Sequence, residues 1–181
     1  MVQSWFDLEA PIIPGTSAAG FSLGVGLQDI SHVLAAARVE EIRPGFRSAD
    51  AIKNCSDILY IKHRNTSSLN YANGAVRLSF NSRGELCSIF LYKGYLGRLF
   101  NSIAIGNSMY DVKAKMPVFY DDLDEMFYPD REIQPDLPNG IAFGASEEPD
   151  EQQEWNIWAF SVHDYEHQRY SVLRNDLVKQ Y

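Results

Sequence analysis

A short signal occurs twice in this chain, at residues 21–30 and 103–112. Each copy runs apolar, small, apolar, glycine, then four residues, then an aspartate and a β-branched apolar residue. The two glycines, Gly24 and Gly106, lie 82 positions apart, and sequence rich in β-forming residues follows each copy. A repeated small unit usually needs its neighbour in order to bury a common core. The chain is therefore expected to contain two similar units that share one hydrophobic core.

The boundaries of these units follow from the spacing of the signal. We predict an α+β fold in which residues 1–181 form a single domain, built from two similar helix-plus-antiparallel-sheet units packed compactly together. The pseudo-repeat halves are expected at about 20–93 and 98–165, followed by a C-terminal tail at 166–181. Apolar residues at helical spacing predict a helix over 27–39.

The other expected elements and the expected core come from alternation, turn residues and caps. The remaining predicted elements are strands at 56–63, 75–80, 86–92, 98–105, 123–128, 140–144 and 155–163, and helices at 109–116 and 166–181. The residues expected in the core are Ile30, Val33, Val76, Phe80, Ile89, Ile105, Val112, Phe143, Trp158 and Phe160.

Composition is typical of a globular protein, with 45% hydrophobic, 13% aromatic and 22% charged residues. No apolar run reaches the roughly 18 residues that a membrane helix needs. Residues 1–9 carry acids and no basic stretch, so they do not resemble a secretory signal. We expect a cytoplasmic protein with no membrane association, in which Cys55 and Cys87 stay reduced.

The net charge of −8 is concentrated in one segment. Residues 117–155 hold twelve acids and a single base, Arg131, whereas the rest of the chain holds twelve acids and fifteen bases. Direct binding of nucleic acid is not expected, because phosphate contacts need clustered lysine and arginine. A basic protein is the natural electrostatic partner for such a segment.

Groups that could perform chemistry are few. The densest carboxylate cluster, residues 121–125, has the residue types that hold a divalent cation or a carboxyl of raised pKa, but it lacks the glycine of a calcium loop. It also fits a solvated acidic loop or a docking surface. His163 and His167 lie four residues apart without the H-E-x-x-H pattern, and we expect them on the surface. No catalytic residue, cofactor or metal is expected.

Aromatic residues lie among these acids, and this combination is typical of interfaces with apolar anchors and a charged rim. Four prolines within the segment, Pro129, Pro135, Pro138 and Pro149, favour loops, whose side chains can face a partner. The residues expected to bind the partner are Tyr120, Asp121, Asp122, Asp124, Glu125, Phe127, Tyr128, Asp130, Glu147, Glu148, Asp150 and Glu151.

The repeated Gly-x4-Asp signal, placed before a set of strands, resembles tandem-repeat inhibitors with a layout similar to the β-lactamase inhibitor protein. The signal at 103–112, the acidic and aromatic stretch at 120–128 and the strand entry at 138–143 resemble immunity proteins of bacterial toxin systems, including those of type VI secretion. The resemblance covers about residues 20–162. Secreted inhibitors carry a leader and disulfides, so a chain with two cysteines and no visible leader fits the cytoplasmic immunity branch better.

Together these features predict a non-enzymatic immunity protein, monomeric and cytoplasmic, that neutralises a cognate toxin or effector by covering its active or functional surface. An acidic inhibitor suits a basic toxin such as a nuclease, and electrostatic attraction speeds capture. Two alternatives stay open. One is a metal-binding protein or hydrolase that uses the carboxylates between Asp121 and Asp124 together with His163. The other is a secretion chaperone or adaptor.

Overall fold

Short strands dominate the computed structural model, which describes residues 5–41 and 48–164. The strands are β1 (Ser17–Ala18), β2 (Phe21–Ser22), β3 (Arg38–Glu41), β4 (Ile58–Lys62), β5 (Ser67–Tyr71), β6 (Val76–Phe80), β7 (Leu86–Tyr92), β8 (Val118–Asp121), β9 (Met126–Pro129), β10 (Ile141–Gly144) and β11 (Ala159–His163). The helices are α1 (Ser31–Ala35), α2 (Ser48–Lys53) and α3 (Met109–Lys113).

Nine strands form one sheet in the order β3-β4-β5-β6-β7-β11-β10-β9-β8, and β1 pairs with β2 in a separate ladder. Only the pairing of β3 with β4 is parallel among the described strands. The sheet therefore consists of two four-stranded antiparallel meanders, β4–β7 and β8–β11, with β3 added in parallel at the edge of the first. They join where their last strands, β7 and β11, pair with each other.

The predicted α+β class is wrong: strands and bridges hold 36% of the described residues and helices only 10%. The expected helix over 27–39 shortens to α1, which has five residues, and the chain then enters β3. Apolar spacing in this stretch reflects burial of a turn, since Ile30 is buried before the helix begins. Residues from Arg38 onward pair with β4, and these ladder hydrogen bonds replace the helical ones.

The two copies of the repeated signal occupy equivalent positions before the two meanders. Gly24 N donates to Leu86 O at 2.8 Å, and Gly106 N donates to Ile157 O at 2.8 Å. In each half, the carbonyl of the residue after the glycine accepts a hydrogen bond of 2.9 Å from the N–H of that same partner residue. Both glycines have a left-handed backbone, with φ of +84° and +88°. The signal thus encodes a loop that pairs with the start of the last strand of its own meander.

The core lies on one face of the sheet, beneath α1, α3 and the loops before β3. Strand register gives the two meanders corresponding core-facing positions. The corresponding pairs are Ile58 and Val118, Tyr60 and Tyr120, Leu69 and Phe127, Val76 and Ile141, and Leu91 and Val162. Of the ten expected core residues eight are buried, Ile105 is half-buried, and Trp158 is 52% exposed. Trp158 precedes β11 and stacks on Tyr92, with ring centroids 6.4 Å apart.

The opposite face of the sheet carries a smaller apolar cluster and a cation–π contact. Under α2, the side chains of Cys55, Leu59 and Ile61 form a small second cluster. Further along, the guanidinium of Arg77 lies 4.3 Å from the centre of the Phe90 ring. Alternation along β9 and β11 sends every second residue to this face, among them Tyr128 and His163.

Other sequence expectations have mixed outcomes. Cys55 and Cys87 are free thiols, as expected. The strand expected at 98–105 is absent; two residues of this stretch, Leu99 and Ile103, form isolated bridges instead. The tail helix expected at 166–181 lies outside the described residues. Within residues 5–41 and 48–164, no helix is long and apolar enough to span a membrane.

Candidate partner-binding surface

The turn between β8 and β9 presents four carboxylates, and two of them hold the turn together. Asp121 Oδ1 accepts a hydrogen bond from Leu123 N at 2.8 Å. Asp124 Oδ2 accepts one from the Tyr128 hydroxyl at 2.7 Å. Glu125 completes the turn with φ of +54°, an uncommon conformation for a residue other than glycine. The strand expected at 123–128 is therefore a turn followed by β9.

Leu123 stands at the tip of this turn with 83% of its surface exposed, more than any other large apolar residue described. Asp122, Asp124 and Glu125 surround it and are exposed as well. The sequence predicts this position as part of a carboxylate cluster and of a strand, and Leu123 is not among the residues that it predicts to bind a partner. The available signal was a lone leucine between acids, which no core-facing alternation explains.

A second acidic loop, between β10 and β11, lies at the same end of the sheet, because antiparallel pairing brings alternate connections together. Asp150 Oδ1 organises it by accepting hydrogen bonds from Gln152 N at 3.0 Å and Glu154 N at 2.8 Å. We name the two loops together the acidic surface. It consists of Asp121, Asp122, Leu123, Asp124, Glu125, Glu147, Glu148, Asp150 and Glu151.

Tyr120 links the two loops. Burial raises the pKa of its hydroxyl, and the negative charges of Glu125, Glu147 and Asp122 raise it further. Both acidic loops therefore act on one side chain. Its ring packs against Phe127, with centroids 4.9 Å apart, which fixes its position beneath the acidic surface.

Most carboxylates of the acidic surface have no partner among residues 5–41 and 48–164. Ion pairs in the described part of the chain join Arg38 to Glu40, Lys62 to Glu41 and Arg83 to Glu85, all far along the sequence from the acidic loops. Five carboxylates of the surface have neither a hydrogen bond nor an ion pair among the described residues. These are Asp122, Glu125, Glu147, Glu148 and Glu151.

Phe127 is not an exposed anchor, contrary to expectation. It is 4% exposed, pairs with Phe143 on the core face, and meets the Trp155 ring edge-on at a centroid distance of 5.4 Å. Alternation along β9 sends the next residue, Tyr128, to the opposite face, where it is half-buried. Phe127 therefore stabilises the fold beneath the acidic surface.

Asp130 lies at the other end of the sheet from the acidic surface, because β9 runs between them. Its Oδ1 accepts hydrogen bonds from Glu132 N at 3.1 Å and Ile133 N at 3.2 Å, so it caps the loop after β9. The twelve acids of residues 117–155 are thus divided between two sites, a division that their spacing in sequence does not reveal.

A cavity of about 340 Å³ opens beside Asp130, on the sheet face opposite the core. Phe119, Tyr128 and His163 line it from β8, β9 and β11. His163, expected on the surface, is 2% exposed, and burial lowers its pKa from 6.5 to about 4. The last residue of β11 is covered because it extends beneath the loop between β9 and β10.

Metal-binding geometry does not arise among the described residues: no three His, Cys, Asp or Glu side chains come together to hold an ion. Comparisons with protein families, curated proteins and solved structures found no match to this chain.

Proposed function

We propose that this chain is an immunity-type protein, a cytoplasmic inhibitor without catalytic activity that binds a basic toxin through its acidic surface. One observation carries the proposal: an apolar side chain, Leu123, is 83% exposed beside the carboxylates of Asp122 and Glu125, which have neither a hydrogen bond nor an ion pair in the described part of the chain. Such a residue gains free energy only when another surface covers it.

The energetics assign different roles to the charges and to the leucine. Exposed ion pairs contribute roughly 0–1 kcal/mol each, so the carboxylates alone give weak binding. Complete burial of a leucine side chain contributes about 1.5–3 kcal/mol, which is about one to two factors of ten in affinity. Charge complementarity mainly accelerates association and excludes acidic partners. We therefore infer fast electrostatic capture followed by apolar docking of Leu123.

The chemistry of the surface also supports a nuclease toxin as the partner. Nucleases need positive charge to bind phosphate, and a rigid array of carboxylates can occupy the same positive groups. The inhibitor would then cover the phosphate-binding cleft of a nuclease toxin and act as a monomer. Direct binding of nucleic acid is disfavoured by the same charges.

A growth assay tests the proposal. The reading frame next to the gene of this chain is expressed in a bacterial host, alone and together with the chain. We expect growth arrest from the first and rescue by the second, with a stable complex of the two purified proteins. If the bound partner keeps its toxic activity, the chain is a chaperone or adaptor and the proposal is wrong.

Variants locate the contact. Leu123→Ser and the double change Asp122→Lys with Glu125→Lys should weaken rescue and binding. Leu96→Ser is the matched apolar control, since Leu96 is 61% exposed outside the acidic surface. Glu9→Lys with Asp57→Lys is the matched charge control. Equal loss of binding in test and control variants would place the interface elsewhere.

A further inference from the structure

The cavity next to β9 has the dimensions of a binding pocket. Its volume of about 340 Å³ lies at the lower end of the range for sites that hold small ligands or single side chains. One wall is aromatic: the rings of Phe119 and Tyr128 stack, with centroids 5.8 Å apart and planes inclined by 24°. Phe119 is 46% exposed, so this wall is accessible from outside.

His163 contributes a buried polar atom that has no partner in the part of the chain that the structure describes. Its Nδ1 lies 3.3 Å from Ser161 Oγ, whereas Nε2 has no hydrogen bond to any described residue although His163 is only 2% exposed. Buried ring nitrogens are normally satisfied, and an exception calls for a ligand or a water molecule. Since His163 lines the cavity, a group bound there is in a position to satisfy Nε2.

Charges at the cavity favour a cation. Asp130 and Glu132 both line it. Among the described residues of the lining, Arg131 alone carries a fixed positive charge, and its Nε and Nη2 donate to Pro135 O at 3.2 Å and 3.1 Å. The negative charges of Asp124 and Asp164 also act on the His163 ring.

We propose that this cavity receives an alkylguanidinium or alkylammonium group, the side chain of an arginine or lysine on the basic partner. The aromatic wall would hold the cation against its face. Asp130 Oδ2, which has no bond to its own loop, would pair with the charge, and His163 Nε2 would accept a hydrogen bond. The identity of the occupant rests on the proposed function, but the preference for a cation rests on the cavity alone.

The protonation state of His163 agrees with this assignment. A neutral ring does not repel a cation, and burial keeps this ring neutral at physiological pH. Hydrogen bonding of the ring to the Ser161 backbone raises the pKa, as expected when a ring N–H donates to a carbonyl. With the proton on Nδ1, which lies 3.3 Å from Ser161 Oγ, Nε2 carries the lone pair and accepts from a guanidinium or ammonium N–H.

Titration of the isotope-labelled chain with model side chains tests the cavity without the partner. The probes are the N-acetyl methylamides of arginine, lysine, norleucine and aspartate, followed by NMR. We expect the arginine and lysine probes to shift the signals of His163, Tyr128 and Phe119. Before any probe is added, we expect the ring of His163 to be in the Nδ1–H form. Phe119→Ala should weaken binding about threefold through loss of the aromatic wall, and His163→Gln should weaken it as well.

The outcomes separate this proposal from the proposed function. Equal binding of the norleucine probe, preference for the aspartate probe, or no shift with any probe would overturn the cation site. Cation binding that Phe119→Ala leaves unchanged would also overturn it. The partner assay is independent: if Leu123→Ser leaves toxin binding intact while the arginine probe binds the cavity, the acidic surface fails and the cation site stands.

Discussion

Leu123 and Phe127 lie four residues apart on one hairpin and have opposite environments, with 83% and 4% of their surfaces exposed. Leu123 lies in the turn at residues 122–125, and Phe127 lies in the strand β9 that follows it. Leu123 projects from its tip, whereas Phe127 enters the core between Tyr120 and Trp155. This contrast distinguishes the side chain that is available to a partner from the one that supports the surface.

Substitution of these two residues should therefore have separable effects. Phe127→Ala removes a buried ring and should lower the free energy of unfolding by about 3–5 kcal/mol. Leu123→Ala should change it by no more than about 0.5 kcal/mol, because the residue lies outside the core. Urea unfolding followed by circular dichroism measures both. A large loss for Leu123→Ala would show that the tip packs against the protein.

The equivalent glycines provide a second prediction. A Cβ at Gly24 or Gly106 meets no atom within 4 Å, so space does not limit substitution at either position. The left-handed φ alone should make Gly24→Ala and Gly106→Ala each cost about 1–2 kcal/mol in the free energy of unfolding. Asparagine, which tolerates this region better, should cost less at both. Urea unfolding of the four variants measures this, and unequal costs at the two positions would contradict their equivalence.

The repeated signal could be predicted from sequence because it is local: a glycine with left-handed φ and a following turn recur together. Its consequence for the fold could not. The apolar spacing after Gly24 fits both a long helix and a turn with a short helix, and only pairing of β3 with β4 decides between them. Pairing of β3 with β4 is a tertiary interaction, and it overrides the helical preference of the local sequence.

The candidate site also has features that the sequence predicts and features that it does not. Segregation of acids into residues 117–155 is visible in the sequence, and so is their mixture with aromatic residues. The exposure of Leu123 is not, because its turn is closed by Glu125 and not by a glycine or asparagine that would mark it. Burial of His163 depends on a loop that follows a different strand, which no local pattern encodes.

Thiol reactivity supplies a third prediction. Burial raises the pKa of the Cys87 thiol, and the charge of Asp164 adds to the shift. A smaller thiolate fraction slows attack on disulfide reagents. In a Cys55→Ser variant, Cys87 should react with a chromogenic disulfide at pH 8 more slowly than glutathione does. A rate equal to that of glutathione would mean that the thiol is freely exposed.

The pH dependence of stability is the fourth prediction, and it depends on His163. Its folded pKa of about 4 lies below the ordinary value of 6.5. As pH falls below 6.5 the unfolded chain takes up a proton at this residue, whereas the folded ring stays neutral until about pH 4. Stability contributed by the neutral ring is thus complete above pH 6.5 and is lost across this window. The loss amounts to about 3 kcal/mol, at 1.36 kcal/mol for each pKa unit.

Comparison with His163→Gln isolates this contribution, because the carboxylates that titrate in the same range are common to both proteins. The free energy of unfolding is measured in urea at intervals between pH 7.5 and pH 4. The difference between the two proteins should shift progressively in favour of the variant as pH falls, since glutamine has no proton to take up. Parallel curves would mean that His163 titrates normally in the folded chain, and that water reaches its ring through the cavity beside Tyr128.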